Sequence, residues 1–446
     1  MGFNPFEKRI EELVQDDLQK LIEKEVSEGY FVEYKSDIPT AAKIAKSIAS
    51  FANTYGGWLI VGVSTNDDNV PCEIGGIDRA IHGDPLSKIR DAIKAHVDPV
   101  PVFWIRSIDR DDGRVVLIVH VPDAQEMPFI HSDGRVYRRV HDASGPVPET
   151  DRYALDRIVD QGRRSVEKFK EFCRDERKFS ESEDDLGWLN VYISPYPPWE
   201  VDRMEILSSG EIKKLLEVSQ KPLLLIKGKS DQDRITGNVP LNAGQTGHRS
   251  VLLRQTATER LPFNVVSAEF FLDGRAKLHV PLSTAWPDKI TSAKVTEVLK
   301  EIFFEGSKGN IKRLRLFDIG MLWLTLTCLL TYYRDWLGNA VAIDHFRVAL
   351  TIKNVWRFVP FCDSDDWADF VKNYGLPVVN RSSIEMPEGI GSGMMIKEIG
   401  ENMGIWGFIC SLASMGVGLP LDTTGALLSE TLMKAGMKKA HDDGAQ

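Results

Sequence analysis

Residues 28–63 read EGYFVEYKSDIPTAAKIAKSIASFANTYGGWLIVGV, from Glu28 to Val63. This is a strand, a helix and a second strand. Tyr30 to Lys35 is aromatic, β-branched and alternating, as a half-buried strand requires. Alternation puts Phe31, Glu33 and Lys35 on one side and Tyr30, Val32 and Tyr34 on the other. Glu33 and Lys35 are then neighbours, roughly 7 Å apart at the backbone. A carboxylate beside an ammonium on a sheet face could hold a metal ion or a phosphate. The plain alternative is a surface ion pair worth under ~1 kcal/mol.

The helix follows from its own residues. Asp37 or Thr40 can cap it, Pro39 suits its start, and Ala41, Ile44, Ala45, Ile48, Phe51 and Ala52 share one face. Gly56-Gly57 stops it before the apolar strand that begins at Trp58. Phosphate loops place the glycines between a strand and the helix that follows it, so that helix amides meet the anion. Here the order is helix, glycines, strand, and a helix C-cap is the better reading.

Working outward, Glu33-Tyr-Lys35, Phe51-Ala-Asn-Thr-Tyr-Gly-Gly57, the strand to Gly62-Val63, and Gly76-Ile-Asp78 occur in that order. Val116 to Val121, Pro128, Gly134 and Tyr137-Arg-Arg-Val140 follow. Together these motifs resemble the Schlafen-type AlbA domain, over roughly residues 20–145. Members of that family are variously nucleic-acid binders, ribonucleases and proteins described as ATP-binding. The resemblance implies an N-terminal Schlafen-AlbA-like mixed sheet with packed helices; the elements that follow read as a second, tryptophan-rich α/β domain, so that the chain is expected to be α+β. Eight of the ten tryptophans lie from Trp188 onward, which marks a different core. The expected divisions are 1–173 for the Schlafen-type domain with its N-terminal helix, 174–186 for a charged linker (RDERKFSESEDDL), and 187–446 for a domain of unassigned role.

The chain of 446 residues carries a net charge of -10, which excludes a generic basic nucleic-acid coat and confines any such site to a local patch. Five cysteines, scattered and without metal-ligand spacing, suggest a reducing compartment and no zinc site. The N-terminus lacks the apolar core of a signal peptide. The apolar run Ile319–Tyr333 falls short of the ~20 residues that span a bilayer and reads as a buried helix. The expectation is a cytoplasmic protein without a membrane segment.

Residues 5–27 read as one charged amphipathic helix with Ile10, Val14, Leu18, Leu21 and Ile22 on its stripe, either packed on its own domain or acting as a dimerisation arm. A helix is expected from Asp84-Pro85, strands at Val102–Ile108 and Val115–Val121, and a helix over 149–173. In the second half, strands are expected at Leu189–Ile193, Leu223–Lys227, Val265–Leu272, Ala276–Val280 and Val348–Ile352. Helices are expected near 289–303, 317–335, 364–373, 404–415 and 424–438. Gly228-Lys229-Ser230 ends like a phosphate loop, but Leu223 stands where that loop needs its first glycine.

In nuclease-active Schlafens the resemblance implies three acids that bind a divalent metal. Here these are Glu28 and Glu33, five residues apart, and Asp78 in Gly76-Ile77-Asp78; Asp67, Asp68 and Glu73 lie near enough to replace Asp78. Mg2+ or Mn2+ would take such carboxylates together with water and substrate phosphate. Lys35 would stabilise charge on the phosphorane. Each acid also has a plainer reading: Glu28 as an exposed acid and Asp78 as a turn residue. Arg138 and Arg139 resemble the family's basic strand, and Lys43, Lys46 and Arg79 would join them on the backbone of RNA or a single-stranded nucleic acid. One lobe is visible, so an RNA-embracing cradle of two lobes would require a homodimer. His120 and His131 are read as core or loop residues. The leading function is a metal-dependent endoribonuclease acting on RNA such as transfer RNA, in stress or phage defence. The rivals are a non-catalytic nucleic-acid-binding or regulatory protein and an ATP-binding protein.

Overall fold

Val32–Lys35 (β1) and Gly57–Val61 (β2) pair in parallel, joined by the helix Ala41–Ala52 (α2), as residues 28–63 foretold. The structure, a computed structural model, describes residues 3–8, 10–122, 127–140, 145–175, 186–195, 208–221, 223–227, 234–255, 266–282, 290, 292–301, 315–337, 345–390, 393–397 and 404–419. It divides into two compact units, Met1–Phe169 and Lys170–Gln446. Helices and strands are both abundant and the chain is α+β, with parallel and antiparallel pairings.

In the first unit, α1 is Gln15–Glu23, and α3 is Pro85–His96, capped by Asp84, whose carboxylate accepts from the Leu86 amide. It also carries β3 (Trp104–Asp109), β4 (Val115–Val121), β5 (Tyr137–Arg138) and most of α4 (Arg152–Arg174), whose last residues fall in the second unit. The main sheet runs β1-β2-β4-β3, with β4 antiparallel to both its neighbours. Strand alternation splits its side chains between two cores. Leu59, Val61, Leu117 and Val119 meet Ile44, Ile48 and Phe51 of α2 and Ile89 and Ile93 of α3. Trp58, Ile60, Val116 and Ile118 meet Val32, Tyr34 and the N-terminal residues Phe6, Leu13, Leu18 and Leu21. Fully burying one such Leu, Ile or Phe contributes about 1.5–3 kcal/mol.

The N-terminal segment packs on its own unit but is not one helix. A single turn at Ile10–Glu12 is followed by extended Val14 and then α1. The break has a local cause. The buried Asp17 carboxylate accepts from the Val14 amide at 3.1 Å and pairs with Lys8 and Lys20, so a cap forms where the stripe suggested continuous helix. Val14, expected on the stripe, is 50% exposed.

The largest sheet of the second unit has strands β6 (Gly187–Pro195), β7 (Ala243–Thr246), β8 (Ser250–Arg254), β9 (Ser267–Phe271), β10 (Ala276–Leu282), β11 (His345–Lys353), β12 (Ser383–Met386) and β13 (Met394–Lys397), beside two two-stranded pairings, Leu223–Lys227 with Arg234–Gly237 and Arg315–Asp318 with Phe358–Phe361. The order is β7-β8-β9-β10-β6-β11-β12, with β13 also on β11, and its described pairings are antiparallel. Helices α5 (Ser209–Gln220), α6 (Ala293–Lys300), α7 (Ile319–Leu337), α8 (Asp365–Tyr374) and α9 (Gly404–Gly416) accompany it. The apolar run around residue 319 is the buried α7: Leu322, Trp323, Leu326, Leu329 and Leu330 share a core with Leu189, Val191 and Ile193 of β6. Among the described residues no helix is long and apolar enough to cross a membrane. The Gly228-Lys229-Ser230 segment, the expected helix at 424–438 and, from 176 to 185, the expected linker lie outside the described residues.

Candidate functional site

β1 carries the residues on which the functional question turns. Val32 and Tyr34 fill the N-terminal core, so pleating turns Glu33 towards α2. Glu33 is 2% exposed. Its Oε1 accepts from Ser47 Oγ of α2 and pairs with Lys35 Nζ, each at 2.9 Å. Its Oε2 accepts from Arg139 Nη1 at 2.7 Å. The expected surface pair with Lys35 is therefore part of a buried cluster.

Arg139 is itself fully buried, and its remaining nitrogens donate to the Gly29 carbonyl, with Nη2 at 2.6 Å. Its guanidinium lies over the Phe51 ring, 4.7 Å from the centroid. Burial pulls the Arg139 pKa down, and the Glu33 carboxylate opposes that shift. The expectation that Arg139 grips nucleic acid is corrected: a guanidinium sealed behind Glu33, Gly29 and Phe51 has no face for a phosphate.

Glu28 sits half-buried at the edge of the cluster. Its Oε1 accepts from the Tyr34 amide at 2.6 Å, folding the chain before β1 back on the strand. Burial raises the Glu28 pKa; the Tyr34 amide, Lys35 and Arg139 counter this, while Glu33 adds to it. Glu28, Glu33, Lys35 and Arg139 thus act on one another.

Asp78 does not join them. It caps a single helical turn, Arg79–His82, its carboxylate accepting from the Ala80 amide at 2.8 Å on the exposed surface. Among the described residues no group of three or more His, Cys, Asp or Glu side chains is placed to hold a metal ion. The trio Glu28, Glu33 and Asp78 does not fit Mg2+ or Mn2+, because Glu33 already has a partner on both oxygens and Asp78 serves its own turn. Asp67, Asp68 and Glu73 are exposed in and beside the hairpin of Ser64–Thr65 and Pro71–Glu73 and do not supply the third ligand.

The remaining cations differ in their partners. Arg79 pairs with Asp109 at 2.6 Å, and Arg138 pairs with Glu149. On α2, Lys43 is exposed, while Lys46 is half-exposed, its ammonium over the Tyr137 ring at 4.7 Å. The two histidines are structural. His120 stands opposite both Trp58 and Trp104 and stacks on them, at 4.0 and 5.4 Å between centroids, and burial lowers its pKa to about 3. His131 is buried between Asp133 and the Ala42 carbonyl.

Several site-forming residues gave no separate signal in the sequence. Ser47 reads as one polar residue on a helix, yet it hydrogen-bonds Glu33. Asn53 lies inside the recognised motif, and its amide does the joining. Nδ2 donates to the Phe129 and Tyr137 carbonyls, and Oδ1 accepts from the Phe129 amide at 2.7 Å. Thr54 Oγ1 accepts from the Arg139 amide at 2.9 Å. At the Gly56-Gly57 corner the Gly56 amide donates to the Phe51 carbonyl. A Cβ on Gly57 would fall 2.3 Å from the Phe51 ring. The corner is a tight junction packed on the Phe51 ring.

No curated protein matches the chain. Among solved structures, the DIP2311 protein of Corynebacterium diphtheriae is 19% identical with a TM-score of 0.18, over 42% of this chain and 33% of that one. This chain thus spans about a third of that protein's length. The N-terminal domain of a RecG-related protein of Nitrosomonas europaea is 22% identical with a TM-score of 0.21, over 28% of this chain and 88% of that one. The family model described as Schlafen, AlbA_2 matches residues 28–148, the stretch that begins at Glu28 and encloses the sheet, the Asn53 clasp and the Glu33–Arg139 pair. Residues 28–148 of this chain are therefore a member of the Schlafen AlbA_2 domain family.

Proposed function

We propose that this protein binds nucleic acid, RNA or another single strand, through its Schlafen-type domain, and that the acids of that domain hold its fold rather than a catalytic ion. The observation that carries the second part is the Glu33 carboxylate, which has Ser47 and Lys35 on one oxygen and Arg139 on the other. A ligand for a divalent cation needs an oxygen lone pair facing the ion; freeing one here would leave the Arg139 guanidinium buried without its counter-charge. Family membership supports the first part, and the exposed Lys43 with the half-exposed Lys46 on α2 offers cations to a phosphate backbone.

A second reading is an endoribonuclease acting on RNA such as transfer RNA, in stress or phage defence. It is favoured by the half-buried Glu28, whose carboxyl has a raised pKa and feels Lys35, Glu33 and Arg139. A carboxyl of that kind can move a proton.

One experiment separates the two. The full-length protein is titrated into labelled transfer RNA, single-stranded RNA and duplex DNA, with and without Mn2+, following anisotropy for binding and gels for cleavage. The proposal expects salt-dependent binding to single-stranded or structured RNA and intact substrate. Absence of binding to all three overturns it. Metal-dependent cleavage that Glu33→Gln abolishes would replace it with the nuclease reading, and metal-free cleavage lost in Glu28→Gln would assign Glu28 the proton transfer.

A further inference from the structure

Four aromatic rings from three separate parts of the chain meet at one end of the first unit's main sheet. Phe3 belongs to the N-terminal segment, Tyr30 and Phe31 lead into β1, and Tyr55 stands in the corner between α2 and β2. Because β1 and β2 are parallel, the residues that lead into them share that end. Phe3 stacks on Phe31 with centroids 5.4 Å apart and planes inclined by 25°. Phe31 lies 6.1 Å from Tyr30 and 6.4 Å from Tyr55, and Tyr30 lies 6.2 Å from Tyr55, which closes the group. The backbone beneath the rings is fixed. The Trp58 indole donates to the Phe3 carbonyl at 3.0 Å, and the Trp58 amide donates to the Phe31 carbonyl at 2.7 Å.

The rings are held in place and yet left open to water. Phe31 reaches in to the N-terminal core, but Phe3 is 44% exposed and Tyr55 57%. An aromatic side chain has about 150–250 Å² to bury, so these two exposed portions come to roughly 200 Å². That is far below the ~800 Å² each partner gives to a stable protein interface. It is the scale of roughly one or two planar bases laid against the rings. The acids nearest in the chain are engaged: Glu7 pairs with Lys24 at 2.9 Å, and Glu28 accepts from the Tyr34 amide. Cations lie within reach along α2, which carries Lys43 and Lys46 in its first turns, is about 18 Å long and ends just before Tyr55.

We propose that Phe3, Tyr30, Phe31 and Tyr55 form a stacking platform for unpaired bases, with Tyr55 and Phe3 as its contact faces. This rests on the reading that the Schlafen-type domain binds nucleic acid, and it narrows the ligand to single strands or to loops with splayed bases. Stacking needs a base with a free face, which a continuous duplex does not offer, and it tolerates any base because each has a π-face. Lys43 and Lys46 then hold the phosphate backbone while the rings select for the unpaired state. A platform fixed before the strand arrives loses little rotamer freedom on binding, since a tyrosine or phenylalanine ring has few torsions to freeze.

The test is anisotropy titration of the full-length chain with a labelled single-stranded RNA, the same strand carrying abasic positions, and a duplex of the same sequence. Wild type is expected to bind the intact strand about tenfold more tightly than the abasic strand. Tyr55→Ala should lose that advantage with the salt slope unchanged, and should bind the abasic strand and the duplex as wild type does. Tyr55→Trp should keep the advantage, whereas Tyr55→Leu, apolar but without a ring, should lose it; Phe3→Ala reports on the second face. Wild type that binds the intact strand while Tyr55→Ala and Phe3→Ala bind it equally well overturns the platform and leaves the nucleic-acid reading standing. Equal affinity for the abasic strand, or a Tyr55→Leu that binds as wild type does, overturns it in the same way. Absence of binding to every strand overturns both.

Discussion

Arg139 donates to Glu33 at 2.7 Å with both side chains shut off from solvent, 106 residues apart in the chain. The bond ties the first strand of the Schlafen-type domain to the segment that follows β5. Removing one partner strands the other as an uncompensated charge, which costs about 3–5 kcal/mol in buried pairs. Arg139→Met is therefore expected to lower the stability of the first unit by that amount, read as a reduced urea midpoint. Glu33→Leu with Arg139→Met should recover a large share, because neither charge then remains. A wild-type midpoint in Arg139→Met would show that the pair is not the joint described.

How far this could be read from the sequence depended on what each residue does locally. The alternation of Tyr30–Lys35 and the helical spacing of Ala41–Ala52 are nearest-neighbour patterns, and both elements formed where they were expected. The Asp84-Pro85 helix start carried its own cap chemistry and also held. The role of Arg139 was not legible, because an arginine on a short terminal strand looks solvent-exposed until a carboxylate 106 residues away is seen to meet it. Asp78 failed for the opposite reason: its motif was recognised, but a carboxylate two residues before a free amide caps its own turn at 2.8 Å. The N-terminal helix broke because Asp17 sat where a cap could form. In each miss a long-range or side-chain-to-backbone bond overrode a periodic pattern.

Gly162 lies inside α4, where glycine weakens a helix. A Cβ there would come within 2.2 Å of the Met127 carbonyl oxygen, so the helix and the segment at Met127 touch only because the side chain is missing. Gly162→Ala should gain helix propensity yet lose stability overall, by about 1–3 kcal/mol from forced displacement. A thermal melt that shows Gly162→Ala to be more stable than wild type would mean the contact gives way freely.

Among the described residues, Lys43 and Lys46 are the cations of the original set that remain on the surface without a close, short ion pair: Lys46 lies 3.9 Å from Asp133. If α2 faces the phosphate backbone, Lys43→Ala and Lys46→Ala should each weaken binding to all sequences alike and lower the slope of log affinity against log salt by about one. Anisotropy titrations across a salt series give that slope directly. Arg79→Ala and Arg138→Ala, whose charges are spent on Asp109 and Glu149, should change it less.

His120 and His279 set the direction of the acid response. Burial holds their folded-state pKa values at about 3 and about 4, below the ordinary histidine value of 6.5. Between those values the unfolded chain binds the proton and the folded chain does not, so lowering the pH favours unfolding. Stability is thus whole above about pH 6.5 and declines as the pH falls, by about 1.4 kcal/mol per pH unit for each histidine. Glu28 runs the other way. Its folded pKa is raised by burial, so its contribution is unfavourable once the pH exceeds the ordinary carboxyl value of 4.5. Glu28→Gln should then stabilise the first unit near neutrality, provided the amide oxygen keeps the Tyr34 hydrogen bond, and the gain should fade below that pH. His120→Phe retains a flat ring between Trp58 and Trp104 while removing the titration. Urea midpoints measured from pH 7 down to pH 4 should fall less steeply in His120→Phe than in wild type. Parallel curves would mean that the histidine titrates freely in the folded state, and that the ring stack leaves it open to water.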